Sequence, residues 1–248
     1  MAIREGGVRF TRKENRTSSK LLSIVIVIFN DSENLRKLLE SIVHHLTDDI
    51  EVIVIDGGSG DETIACILEY KEYIEYWRSE EDKGIYDAMN KGISHAEGEF
   101  IWHLNAGDQL LCIPILELTQ CMQDDIDIAC FCVMLDNKRI YTPRRSFMLK
   151  LDNTWHHQGT FYRRKLNIVY DIQYLIYADF DLNQRLFKSN ATVRIYKKIV
   201  ALFSLNGVSS SGKHRFEIYK IILKNFGWIY LPIAFFRFFL NSIRSQIR

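Results

Sequence analysis

Between Ser23 and Asp108 the chain repeats one alternation. Four short runs rich in Val, Ile and aromatic residues, Ser23–Asn30, Glu51–Ile55, Tyr73–Trp77 and Glu99–Leu104, read as strands. Between them lie stretches with apolar residues at helical spacing. Leu35, Leu38, Leu39 and Ile42 share one helical face, with Asp31 or Ser32 placed to cap it. Ile64, Ile67 and Leu68 mark a second helix behind the turn Asp56-Gly-Gly-Ser-Gly-Asp61, with Asp61 as its cap, and residues 85–96 a third. The first of these strands reads as a buried one. Strand–helix repetition with short connections predicts an α/β fold, a mostly parallel central sheet flanked by helices. In such sheets ligands sit beyond the carboxyl ends of the strands, where Asp56, Asn105 and Asp108 fall.

From about residue 114 the pattern loosens. Residues 114–123 read as a helix, Ile126–Leu135 as a strand with Lys138–Tyr141 as its hairpin partner, and Trp155–Phe161 as a loop leading to a short strand. A helix over 178–188 is opened by Asp179 and Asp181, acids suited to the positive end of a helix. Thr192–Phe203 returns to strand character and Leu205–Gly212 is a Gly/Ser loop. With neither repeat nor low-complexity linker, the chain reads as one domain with an irregular second half. A chain of 248 residues buries roughly 70% of its extended surface, so it needs neither metal nor disulfide staples. Its five cysteines contain no C-x-x-C pair, and Cys130 and Cys132 share one strand face, so they read as buried reduced thiols in a cytosolic setting.

The formal net charge of +1 conceals a segregation. Residues 1–20 hold six Lys/Arg against two Glu, residues 218–248 hold five Lys/Arg and no acid, and the body between carries −8. The first 20 residues lack an apolar run, so they read as a disordered leader and not a secretory signal. Residues 218–248 contain 19 apolar residues, yet the longest uncharged piece, Asn225–Phe236, has 12, short of the roughly 20 needed to span a bilayer. Pro232 interrupts it and Arg237 follows it. Residues 216–248 are therefore expected to form a helical tail lying in a membrane surface, peripheral or monotopic; a tail packed on the domain and a true span are the competing readings. Basic ends on an acidic body, with no reading motif, argue against nucleic acid.

Several residues carry possible chemistry. The Asp56–Asp61 turn is neither G-x-G-x-x-G nor a Walker loop, but an acid at a strand end can accept from a base or ribose; a plain capped turn fits equally. Asp108, after Gly107, can hold Mg²⁺ or Mn²⁺ beside a diphosphate, or simply close a turn. Asp179 and Asp181 can serve as a general base or order their helix. His156 and His157, adjacent on extended backbone, point to opposite faces and make a poor metal pair.

Together, LLSIVIVIFNDSENLRKLLESI, EVIVIDGGSGDET, SEEDKGIYDAMNKGISHAEGEFIWHLNAGD and HHQGTFYRR with YLIYADFDLNQRLF resemble family 2 glycosyltransferases of the GT-A fold. The likeness covers residues 21–190, with a weaker echo in NGVSSSGKHRFEIYKII, and looks closest to bacterial colanic-acid-type and other exopolysaccharide transferases. It implies a Rossmann-like GT-A domain over 21–215 with an irregular acceptor-side half. By the resemblance, Phe29, Asn30 and Asp56 surround the nucleotide of a nucleotide-diphosphate sugar. Lys83, Asp87, Asn90, Gly107 and Asp108 line the donor, Asp108 binds Mg²⁺ or Mn²⁺, Asp179 is the base of an inverting transfer, and His157 and Gln158 lie on the acceptor side. The implied acceptor is a saccharide on a polyprenyl diphosphate at the cytoplasmic side of the inner membrane. A lipopolysaccharide-core or protein acceptor, or a non-catalytic sugar-nucleotide-binding role, are the alternatives. Two departures stand out: the family often has Asp-Asp where this chain has Asp56-Gly57, and its DxD-type motif is here Asn105-Ala-Gly-Asp108.

Overall fold

A computed structural model describes residues 3–11, 20–145, 147–203 and 214–237. Its strands are β1 (Arg4–Gly6), β2 (Leu22–Ile28), β3 (Ile50–Asp56), β4 (Tyr76–Ser79), β5 (Phe100–Asn105), β6 (Gln109–Leu110), β7 (Ile128–Leu135), β8 (Ile140–Tyr141), β9 (Thr160–Arg163) and β10 (Val193–Phe203). Its α-helices are α1 (Ser32–Val43), α2 (Asp61–Glu69), α3 (Ile85–His95), α4 (Ile115–Gln123), α5 (Ala178–Lys188) and α6 (Arg215–Phe226).

The strands form one sheet in the order β1-β4-β3-β2-β5-β9-β7-β10-β6, with β8 on β7. The stretch β4-β3-β2-β5 is parallel throughout. Beyond it β9 is antiparallel to both β5 and β7, and β10 runs parallel to β7. Successive residues of a strand face opposite sides, and β2 shows what that does here. Leu22, Ile24, Ile26 and Ile28 pack with Leu35, Leu38 and Ile42 of α1 and Ile64 and Ile67 of α2, while Val25 and Val27 pack with Tyr86 and Met89 of α3 and Leu182 of α5. The strand order steps away from β2 in both directions, so a crevice opens beyond the carboxyl ends of β2 and β5.

Three expectations need correction. Arg4–Gly6, assigned to a disordered leader, instead pairs antiparallel with β4, and Val8–Phe10 forms a short 3-10 turn behind it. The Arg9 guanidinium then reaches the buried Glu51 carboxylate at 3.3 Å and the His95 carbonyl at 3.0 Å, strapping the sheet at the end away from the crevice. The third core strand starts at Tyr76, not Tyr73, because Tyr73 and Ile74 donate to the Tyr70 and Lys71 carbonyls and close a turn after α2. Asp61 is not the cap of α2: extended Gly60 occupies that position, and Asp61 is exposed within 3.6 Å of Arg4. Asp31 does cap α1, accepting the Asn34 amide. The remainder of the leader (12–19), the Gly/Ser loop at 205–212 and the end of the tail (238–248) lie outside the described residues.

In the tail, α6 is followed by a 3-10 turn, Trp228–Tyr230, and by helical residues 231–237. Ile218, Ile221, Ile222 and Ala234 pack on Leu151 and Phe180, so one face is docked on the domain. Phe216, Leu223, Trp228, Ile229, Ile233, Phe235 and Phe236 remain exposed. Among the described residues no helix is long and apolar enough to cross a membrane.

Candidate active site

The turns after β2 and β3 are tied to each other. Asn30 sits in the left-handed region (φ 50°), which Asn tolerates better than most residues, and donates its amide to Ser59 Oγ at 2.7 Å. Its side-chain Oδ1 accepts the Gly60 amide at 3.0 Å. Phe29 beside it is 63% exposed, its ring edge close to Gly57. Asp56, fully buried at the end of β3, accepts through Oδ2 from the Gly58 and Ser59 amides and from Ser79 Oγ at 2.6 Å. Its Oδ1 is buried with no partner among the described residues, an acceptor held in readiness.

Gly57, where the family often has a second acid, faces the Asp82 carboxylate, and a Cβ at 57 would collide with it. Asp82 therefore brings a carboxylate to Asp56 from another loop, and burial raises its pKa, with Asp87 and Asp56 adding to the rise. Asp82 falls within the resembling segment SEEDKGIYDAMNKG, but no role is assigned to it from the sequence.

The other donor-side residues divide. Lys83 is exposed, and its backbone amide donates to Asp87, which also pairs with Lys91 at 3.1 Å. Asn90 is instead committed to the fold. Its carboxamide donates to the Tyr170 carbonyl and accepts the Tyr170 amide, so both ends of the group clamp backbone.

At the end of β5, Gly107 (φ 100°) turns the chain so that Asp108 folds back and accepts the Asn105 amide through Oδ2 at 2.9 Å. Burial pushes the Asp108 carboxyl up to about 6, against the Asn105 amide, His157 and Gln158, which favour its charged form. The Gln158 carboxamide is buried beside it without reaching hydrogen-bond geometry, and Asn105 Oδ1 is likewise buried without a partner among the described residues. A cavity of about 440 Å³ between α1 and this turn has Lys37, Ser41 and Asp108 in its walls; Asp56 and Asp179 lie outside it.

Asp179, 6% exposed at the start of α5, is held from three sides. Its Oδ1 accepts the Phe180 amide at 2.8 Å and lies 3.3 Å from the Tyr86 hydroxyl; its Oδ2 accepts from Asn153 at 2.8 Å. His157 Nδ1 lies 3.5 Å from the same Oδ2, and its Nε2 lies 3.0 Å from Asn105 Nδ2. His156 turns the other way, edge-on to Tyr141, and burial lowers its pKa to about 4. Asp181 takes no part: it is buried against Arg185, Lys224 and Asn225. Asn153 and Tyr86 escape a reading of the sequence, since nothing local marks an Asn in a loop or a Tyr inside a helix as partners of a residue dozens of positions away.

Asp56, Asp108, His157 and Asp179 thus line the carboxyl-end side of the sheet, around the crevice between β2 and β5. Comparison with known proteins identifies the family. A family model described as "Glycosyl transferase family 2" matches residues 23–187. An uncharacterized glycosyltransferase of Mycobacterium tuberculosis is 42% identical over 94 residues, 38% of this chain and only 36% of its own length, so the chain matches about a third of that relative. A PGL/p-HBAD biosynthesis glycosyltransferase of Mycobacterium bovis is 31% identical over 198 residues, covering 74% of this chain and 76% of its own. Among solved structures, a mannosyltransferase of Pyrobaculum calidifontis in complex with GDP-Man and Mn²⁺ superposes with a TM-score of 0.65 at 14% identity, covering 92% of this chain and 73% of the other.

Proposed function

Since the chain belongs to glycosyl transferase family 2, we propose that it moves a sugar, with inversion, from a nucleotide-diphosphate sugar to a saccharide acceptor. The observation that carries this reading is a polar chain running Asp179–His157–Asn105–Asp108, which links a buried carboxylate to the strand end beside which a diphosphate would lie.

Asp179 removes the proton of an acceptor hydroxyl as that oxygen attacks the anomeric carbon, and the bond to the diphosphate breaks on the opposite side. The proton rests on Asp179, whose position Asn153 fixes. Asp56 Oδ1 accepts an N–H of the nucleotide base, which would satisfy its missing partner. Phe29 offers a face for the base to stack on.

A divalent cation fits the site in part. Asp108, with the unpartnered oxygens of Asn105 and Gln158, is a hard donor set suited to Mg²⁺ or Mn²⁺. Among the described residues no group of three His, Cys, Asp or Glu converges, so donor phosphates and water must complete the shell. When bound, such an ion offsets the negative charge growing on the departing diphosphate.

The acceptor we favour is lipid-linked, in cell-surface polysaccharide synthesis at the cytoplasmic face of the membrane. The exposed Trp228, Ile229, Phe235 and Phe236, next to a docked face that fixes their direction, support it. A thermal-shift screen of nucleotide sugars with Mn²⁺ identifies the donor. Asp179→Asn is then expected to keep donor binding and lose about 10²- to 10⁴-fold in turnover. A folded variant with an unchanged rate would overturn the base assignment.

A further inference from the structure

Glu217 is a buried acid that the chemistry above does not use. It is 3% exposed, on the first turn of α6, and its carboxylate accepts three successive backbone amides from another part of the chain: Leu175 at 3.0 Å, Ile176 at 3.1 Å and Tyr177 at 3.2 Å. Those residues lie just before Asp179. Amides of consecutive residues aimed at one point form an anion-binding concavity, and bonds to a charged acceptor are about twice as strong as neutral ones.

The geometry continues toward the site. The Ile176 carbonyl accepts the Tyr86 hydroxyl at 2.6 Å, and that hydroxyl lies 3.3 Å from Asp179 Oδ1. Lys224, two turns further along α6, holds the start of the same loop through Asp171 at 2.9 Å and the first turn of α5 through Asp181 at 3.1 Å. Helix α6 therefore grips the 171–177 loop at both ends, and the Glu217 end continues through Ile176 and Tyr86 to the Asp179 carboxylate.

We propose that Glu217 is a positioning residue for the transfer: it sets the backbone from which Asp179 projects, acting through Ile176 and Tyr86, and makes α6 part of the catalytic apparatus. This deepens the assignment of Asp179 as base and rests on it. A carboxamide at 217 presents one acceptor oxygen and one N–H₂ donor to three donors, so at least one amide loses its partner and the loop relaxes. Asp179 then keeps its chemistry and loses its aim.

The test uses the full chain and whichever of UDP-glucose, UDP-N-acetylglucosamine or GDP-mannose it turns over with Mn²⁺. Glu217→Gln is expected to leave donor Kd within about two-fold while kcat falls by about 10²-fold, the size of loss a misplacement of about 1 Å produces. Amide hydrogen exchange over 175–177 should quicken in the same variant. Tyr86→Phe, which removes a single hydroxyl, should reproduce the loss of kcat with Kd preserved. Asn225→Ala, which loosens the α5–α6 contact without touching 175–177, should keep kcat. Wild-type kcat in Glu217→Gln or in Tyr86→Phe, or an equal loss in Asn225→Ala, overturns the proposal. Activity retained in Asp179→Asn overturns the base assignment beneath it, whereas an inactive Asp179→Asn beside an active Glu217→Gln overturns the positioning role alone.

Discussion

Asp108 is a carboxylate whose environment works against its charge. Burial raises its pKa to about 6, so the folded protein holds this proton more tightly than the unfolded chain, whose aspartates titrate near pH 4. The sign follows: between about pH 4 and pH 6 this group makes stability fall as pH rises. His103 and His156, lowered by burial to about 3 and about 4, act oppositely over the same interval, since stability is lost as pH falls through it. A comparison of Asp108→Asn with wild type cancels the histidines. The metal-free variant is expected to be more stable at pH 7 by roughly 2–3 kcal/mol, with the difference fading below about pH 4. Urea unfolding in chelator at several pH values measures it, and a less stable variant at pH 7 would contradict the burial argument. Added Mn²⁺ should stabilise wild type and not the variant. At this scale the sequence marks acids at strand ends, because a strand end is a local property. It cannot mark Asp82, Asn153 or Tyr86, because their meaning comes from partners far along the chain.

Elements are legible where burial is two-sided. The runs in β2, β3 and β5 are dominated by buried Val, Ile, Leu and aromatic residues, so propensity and tertiary packing agree on them. The β4 boundary slips because the apolar Ile74 that suggests a strand is used instead to pack a turn into the core. Helix α3 shows packing overruling propensity. Gly92 faces β2, and a Cβ there would collide with Val25. In an isolated helix Gly→Ala gains about 1 kcal/mol. Here Gly92→Ala is expected to lose about 1–3 kcal/mol by overpacking, seen as a lower urea midpoint at unchanged slope. The tail obeys the same logic in reverse: its apolar residues outnumber what the docked face needs. Replacing Trp228, Phe235 and Phe236 by Ser should leave the thermal midpoint nearly unchanged and sharply reduce cosedimentation with anionic vesicles. Undiminished cosedimentation would remove the membrane reading while leaving the catalytic one untouched.

Across the whole molecule, the described parts of both end segments are built in, Arg4–Gly6 along the edge of the sheet and residues 214–237 against α5 and the loop before it. Charge arithmetic separates them correctly as basic, but a net charge says nothing about where a side chain lands. Arg9 meets Glu51, Glu97 and the Tyr76 ring, contacts that no short-range pattern encodes. Arg9→Ala leaves the Glu51 carboxylate buried without its cation, although Ser23 and the Glu97 and Gly98 amides still donate to it. With Arg9 partly exposed, a loss of about 1–3 kcal/mol in urea unfolding is expected, below the range for a fully buried pair. The antiparallel pairing of Arg4–Gly6 with Trp77–Ser79 has a separate consequence. It closes the flank of the sheet with a three-residue strand, too short to template another chain. A protein begun at residue 12 would present β4 bare, and concentration-dependent light scattering should then appear where the longer chain stays clear. The first residues act, in that sense, as a selvedge that keeps the fabric from joining to its neighbour.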